Sequence, residues 1–122
     1  MKTIIHPEIL ERFPHYSGVV LYVKNLENRV SDASSSALLE QAEIEARALF
    51  LNGKASEHSH ILAWRNAFQS FGLKPSKMLC SAEALISRVL KGNELPQINW
   101  LTDIYNSISV RYVLPIGGED CT

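Results

Sequence analysis

Three polar residues near the end of the chain share a helical spacing: Asn99, Asp103 and Asn106 are separated by four and three residues. In a helix, this spacing places their side chains on adjoining parts of one face. Such a row can recognise a ribose or an amino-acid ammonium group through directed hydrogen bonds. Side chains that only hold a neighbouring loop have the same spacing, and this structural role is the commoner one. Ligand recognition and a structural role both stay open.

A second candidate is the turn Gly117-Gly118-Glu119-Asp120. Glycine has no side chain, so the backbone of Gly117 and Gly118 can come very close to a ligand. The carboxylates of Glu119 and Asp120 can hold an ammonium group or position a water molecule. A plain glycine turn explains the same four residues.

Other kinds of catalytic and metal site have no support in the sequence. It contains no nucleophile elbow, P-loop or dinucleotide-binding glycine motif. His58 and His60 are two residues apart and do not share a helical face, so we expect no metal site. Cys80 and Cys121 lie far apart without a CxxC pattern and are expected to be reduced thiols. No cofactor is expected.

Composition indicates one ordinary domain spanning residues 1–122, with 46% hydrophobic and 20% charged residues. The net charge of −1 argues against a protein that holds nucleic acid mainly by electrostatic attraction. Residues 58–118 nevertheless carry a net charge of +3. This basic half can face a phosphate backbone or can simply be solvated surface. Its lysines and arginines are Arg65, Lys74, Lys77, Arg88, Lys91 and Arg111.

No segment has the length of a membrane span or a secretion signal. The longest uninterrupted apolar run is Val19–Val23, whereas a spanning helix needs about 20 apolar residues. We therefore expect a cytoplasmic protein without a membrane partner.

Hydrophobic periodicity predicts more helix than strand. Strands are expected at Lys2–Ile5, Val19–Val23 and Arg111–Leu114, with Ser31 or Asp32 capping the first long helix and glycine stops at Gly72 and Gly92. A single central strand cannot form a sheet. We therefore expect that the strands after Gly118 are missing from this chain, or that another copy of the chain supplies them, as in a homo-oligomer. Helices are predicted at residues 8–13 (one turn), 37–51, 57–71, about 81–91 and 99–109.

Four ordered motifs resemble a known family. They are RNAFQSFGLKPSK at residues 65–77, SAEALISRVLKG at 81–92, LPQINWLTDIYNSISV at 95–110 and LPIGGED at 114–120. Together they resemble free-standing relatives of the tRNA-binding and editing module, the "B-three/B-four" domain, of the phenylalanyl-tRNA synthetase β subunit. The similarity covers roughly residues 61–120, and its most specific part is the Leu-Pro-x-Ile-Asn…Asp-x-Tyr-Asn pattern.

The resemblance implies a three-layer α+β domain with a β-sandwich of unusual topology flanked by helices. This chain would be its N-terminal part, incomplete by itself. It also implies binding of tRNA or aminoacyl-tRNA, with hydrolysis in trans of the ester in a mischarged tRNA, an aminoacyl-tRNA deacylase activity. Selection of a side chain in a first site is limited, which is why a second, editing pocket is useful.

The resemblance implies the location of a site, and for hydrolysis at that site our hypothesis is that Asp103 and Asp120 hold the amino group. Gly117 and Gly118 then offer backbone donors or space. The sequence departs from the bacterial synthetase, which has an editing histidine where this chain has Gly117, and from the longer module, whose editing glutamate it lacks. Two alternatives follow: a non-catalytic binding module for an amino acid or another small ligand, or a shortened and inactive family member.

Overall fold

The computed structural model describes residues 2–121, and these residues form helices and irregular segments without a strand. The predicted α+β fold with a β-sandwich is therefore wrong for the described chain. The helices are α1 (Pro7–Arg12), α2 (Ala33–Leu49), α3 (Ser59–Ser70), α4 (Ser81–Leu90) and α5 (Trp100–Tyr112), with a 3₁₀ turn at Ala55–Glu57 between α2 and α3.

The predicted strands failed for two different reasons. Lys2–Ile5 and Val19–Val23 lie outside any regular element, because a β-strand needs a paired neighbour and none is described beside them. Arg111–Leu114 was expected to be a strand, but α5 continues to Tyr112 and ends at Val113, whose φ of 55° lies in the left-handed region. Leu114 N then donates to Ser109 O at 3.1 Å, which satisfies a terminal carbonyl of α5.

The core lies where α2 packs against α5 and α4. Leu39, Ala42 and Ala46 follow one another at spacings of three and four on α2 and are buried. They meet Ile86 and Val110 in one apolar cluster. Full burial of an aliphatic side chain such as Ile86 contributes about 1.5–3 kcal/mol, so these positions fix how the three helices pack.

Helix ends follow the predicted chemistry, with small shifts. Asp32 caps α2: its Oδ1 accepts from Ser35 N at 2.9 Å, while Asp32 N donates to Ser35 Oγ at 3.0 Å. This reciprocal cap starts α2 at Ala33, four residues before the predicted start. Gly72 and Gly92 follow α3 and α4 with φ of 82° and 89°, the left-handed conformation that glycine adopts most readily. In the part of the chain that the structure describes, every helix is too short or too polar to cross a bilayer.

Candidate functional site

Asn99 and Asp103 lie at the start of α5 and hold the loop that leads into α2. Asn99 is the N-cap of α5, and its Oδ1 accepts from Thr102 N and from Asn28 Nδ2, each at 2.9 Å. At the next residue of each segment, the guanidinium of Arg29 lies 4.0 Å from the ring centre of Trp100. The loop and the first turn of α5 are therefore joined by side-chain and ring contacts.

The carboxylate of Asp103 is completely buried, and its oxygens accept internal hydrogen bonds. Oδ2 accepts from Ser31 Oγ at 2.5 Å and from Ser35 Oγ at 3.0 Å, and Oδ1 accepts from Ile98 N at 2.9 Å. A buried carboxylate needs such donors, because removing a charge from water is costly. In this structure Asp103 braces the loop and the start of α2. Substrate binding by Asp103 stays a prediction. The same holds for Asn106, which is buried further along α5.

The glycine turn lies against a different face of α5. Gly117, Gly118, Glu119 and Asp120 are exposed, and a Cβ added at Gly118 would lie 3.1 Å from Cε1 of Tyr105. Tyr105 is two residues from Asp103, and that separation corresponds to about 200° around a helix. The structure therefore does not bring the Asp103 carboxylate and the glycine turn together. Their joint hold on an amino group stays a prediction.

The predicted phosphate-contacting residues do not form one patch. Arg65 donates from Nε to both oxygens of Glu83, at 2.9 and 3.1 Å, and these hydrogen bonds raise the pKa of the Arg65 guanidinium. Lys74 and Lys77 are exposed in the loop before α4. The other two lie at the far end of α4: Arg88, which donates from Nε to Glu94 O at 2.7 Å, and Lys91. The ten residues of α4 span about 15 Å, so the two pairs face separate regions.

The sequence did not predict the cavity that lies between the N-terminal segment and α3. Its volume is about 810 Å³, within the range of roughly 300–1,000 Å³ that is typical of ligand pockets. Most of its lining is apolar and much of it is aromatic. We call this cavity the α1–α3 groove; its lining includes Arg12, Phe13, His60, Trp64, Phe68, Phe71 and Leu114.

Polar groups stand beside these aromatic rings in the α1–α3 groove. The guanidinium of Arg12 lies 4.4 Å from the ring centre of Phe71, and its Nη2 donates to Ser70 O at 2.5 Å. His60 Nδ1 lies 3.1 Å from Val113 O. Neighbouring His58 caps α3 by accepting at Nδ1 from His60 N at 3.1 Å, and burial lowers the pKa of its imidazole. A groove of this kind can hold a flat ring between aromatic faces, with a cation at its edge.

The sequence contains a signal for the groove, an aromatic stripe at helical spacing along α3. Ile61, Trp64, Phe68 and Phe71 form one helical face, and only Ile61 of these four is buried. Trp64 and Phe68 are half-buried, and Phe71 is exposed. An apolar stripe indicates which face of a helix is covered, but it does not reveal whether the cover is complete. Among the described residues, no group of three metal-ligating side chains is formed.

The second half of the chain is similar to a known protein family. Residues 63–122 match the family model of the B3/4 domain, which confirms the resemblance drawn from the sequence motifs. The matched region includes most of α3, all of α4 and α5, and the glycine turn. No curated protein and no solved structure shows significant similarity to the chain.

Proposed function

Because residues 63–122 make this chain a relative of the B3/4 domain of the phenylalanyl-tRNA synthetase β subunit, we propose that it is a tRNA-binding module whose α1–α3 groove receives the unpaired aminoacyl end of the tRNA. The family match carries the proposal at the level of a tRNA-related domain. The position and chemistry of the groove support the finer assignment.

Stacking is the first contribution that the groove offers. Unpaired nucleotides are recognised mainly by aromatic and arginine side chains, because every base presents a flat π face. Trp64, Phe68 and Phe71 line one wall of the groove from α3, and Arg12 stands over Phe71. Stacking of one base on such a ring contributes about 1–3 kcal/mol, so one or two bases in the groove would give measurable affinity without a strongly basic surface.

Two further elements lead out of the groove. Lys74 follows the lining residue Phe71 by three residues, and Gly117 follows the lining residue Leu114 by three. Three residues span at most about 11 Å. This reach supports a phosphate contact of the exposed Lys74 on one side of the groove, with Lys77 three residues further along, and a role for the glycine turn on the other side.

The most specific part of the proposal is the hydrolysis of a mischarged aminoacyl-tRNA. An aminoacyl ester is already activated, so orientation beside a water molecule and stabilisation of the developing oxyanion can suffice. In this proposal the backbone amides of Gly117 and Gly118 donate to the oxyanion, while the acidic side chains that follow them hold the amino group. The water oxygen bonds to the ester carbonyl carbon, the bond from that carbon to the ribose oxygen breaks, and the proton of the water passes to the ribose oxygen, which releases the amino acid and a tRNA with a free terminal hydroxyl.

The dimensions and apolar lining of the groove also favour a second function, the binding of a free aromatic amino acid or a similar small ligand without catalysis. The dependence of binding affinity on salt concentration distinguishes the two functions. Affinity for tRNA should fall steeply as the salt concentration rises, because phosphate contacts release counterions, whereas a small ligand with no net charge should be nearly indifferent.

The test compares Trp64→Ala with Trp100→Ala, which removes the other tryptophan from a position outside the groove. Binding of fluorescent tRNA is measured at several salt concentrations, beside deacylation assays on several mischarged tRNAs. We expect Trp64→Ala to weaken tRNA binding by roughly 5- to 150-fold, the loss of one stacked base, and Trp100→Ala to leave it unchanged. Equal affinities of the two variants for tRNA would contradict the assignment to the groove.

A further inference from the structure

The segment from Ser17 to Lys24 has the composition of a β-strand, yet its apolar side chains are exposed to solvent. Val19, Val20, Leu21, Tyr22 and Val23 follow one another without a charge or a proline. Natural proteins usually protect such segments with charges, prolines or bulges, because an uncovered strand pairs readily with another chain. Lys24 is the only charged residue between Ser17 and Lys24.

Within residues 2–121, the backbone of this segment makes no hydrogen bond with another backbone group. Exposure alternates along it: Val19, Leu21 and Val23 are 87, 82 and 64% exposed, whereas Val20 and Tyr22 are 53 and 47% exposed. The less exposed face adjoins the N-terminal residues, where the hydroxyls of Thr3 and Tyr22 are hydrogen-bonded. This period of two shows that the segment already has the alternation of a strand. It lacks a partner for its backbone and a cover for its more exposed face.

We infer that residues 18–24 pair antiparallel with the same residues of a second copy of this chain, about a two-fold axis at Leu21. In this register Val19 lies opposite Val23, and Val20 lies opposite Tyr22. Each pair joins two side chains on the same face of the ribbon, and β-branched and aromatic pairs of this kind stabilise sheets. The more exposed residues of both copies then form one continuous apolar surface.

The charge of Lys24 and the small size of Gly18 favour antiparallel pairing of this segment with its own copy. In the antiparallel register Lys24 lies opposite Gly18, which has no side chain and no charge. A parallel pairing of the same residues would place Lys24 opposite Lys24, and like charges directly opposite each other destabilise a sheet. A bend at Asn25, where φ is 60°, follows immediately after Lys24. The segment is therefore complementary to itself, and the two-fold pairing uses the same edge of the segment in both copies.

The test is site-specific crosslinking of the full chain in a Cys121→Ser background, which removes the exposed thiol. At the two-fold axis Leu21→Cys faces itself, so oxidation should give a disulfide-linked dimer. Val19→Cys faces Val23 of the other copy, and its own counterpart lies four residues, about 13 Å, away along the ribbon. Because a disulfide requires Cα atoms within about 7 Å, this matched variant should remain largely monomeric under the same oxidation.

Sedimentation measurements over a range of protein concentrations complete the test. The unmodified chain should reach the mass of a dimer, and Leu21→Lys should stay monomeric. Leu51→Lys is the control, because Leu51 is 78% exposed in the turn after α2. A chain that stays monomeric at every concentration, equal crosslinking of the two cysteine variants, or open-ended assemblies would each overturn the inference. Loss of tRNA binding in Trp64→Ala would leave it unaffected, so the two proposals fail separately.

Discussion

Ser35 of α2 donates its hydroxyl to the carboxylate of Asp103 of α5 across 3.0 Å, and both side chains are completely buried. The same hydroxyl receives Asp32 N at 3.0 Å, so the N-cap of α2 and the first turn of α5 share one hydrogen-bonded unit. Polar groups in such a unit stabilise the fold only while each of them has a partner. The closest packing of the molecule, between α2 and α5, thus begins at a polar junction.

Asp103→Asn should lower the free energy of unfolding by about 1.5–3 kcal/mol. The substitution removes the charge that strengthens three hydrogen bonds, and it turns an acceptor into a donor facing two serine hydroxyls. Urea unfolding followed by circular dichroism measures the change. Glu40→Gln, an exposed change on α2, serves as the control and should be neutral.

Deacylation by the same Asp103→Asn preparation separates stability from substrate binding. At temperatures where the variant stays folded, a carboxylate that only braces the loop leaves the hydrolysis of mischarged tRNA unchanged. A slower rate under these conditions would assign Asp103 to the site that the family resemblance implies, although the carboxylate is buried.

The cap at Asp32 predicts a sensitivity to acid. Hydrogen bonds from Ser34 and from the Ser35 backbone lower the pKa of Asp32 from 3.8 to about 2. A carboxylate whose pKa is lower in the folded state stabilises the protein above its unfolded pKa, and this contribution disappears as the pH falls toward the folded value. The stability difference between the wild-type chain and Asp32→Asn should therefore be constant above about pH 5 and shrink between pH 4 and 2. Thermal unfolding across this range tests it; a difference that does not change with pH would contradict it.

The Arg65–Glu83 pair joins α3 to α4 and predicts a strong dependence of stability on Arg65. Glu83 is 2% exposed, and Arg65 covers it with hydrogen bonds to both carboxylate oxygens. Arg65→Met leaves a buried carboxylate without its cation, which should cost about 3 kcal/mol. The double variant Arg65→Met/Glu83→Leu should recover most of this loss, because it removes the charge as well. Equal unfolding free energies for the single and double variants would rule out this account.

Local chemistry made the helices predictable. The cap at Asp32 and the glycines at 72 and 92 act within a few residues and lie where the sequence predicted a cap and two helix stops, although α2 begins four residues before its predicted start. Strands depend on partners that are distant in sequence or on another molecule. The run Val19–Val23 has the composition of a strand, but the predicted strand is wrong, because strand pairing is a property of the surroundings of a segment.

In the candidate site, too, local features were predictable and contacts between distant residues were not. Spacing placed Asn99, Asp103 and Asn106 on one helix, and the structure confirms that α5 carries Asp103 and Asn106 and is capped by Asn99. Spacing could not show that Ser31 and Ser35 would reach Asp103. The α1–α3 groove was also out of reach, because it exists only where residues 4–17 leave the aromatic face of α3 partly uncovered.

The last prediction concerns the phosphate contacts of Lys74 and Lys77. Each phosphate contact contributes about one unit to the slope of log affinity against log salt concentration. If tRNA leaves the groove past the loop before α4, Lys74→Ala should reduce this slope by about one and weaken binding most at low salt. Lys91→Ala removes an equally exposed charge at the far end of α4 and should leave the slope unchanged. Fluorescence anisotropy titrations at several salt concentrations give both slopes. A larger loss with Lys91→Ala would place the tRNA backbone at the opposite end of α4, away from the groove.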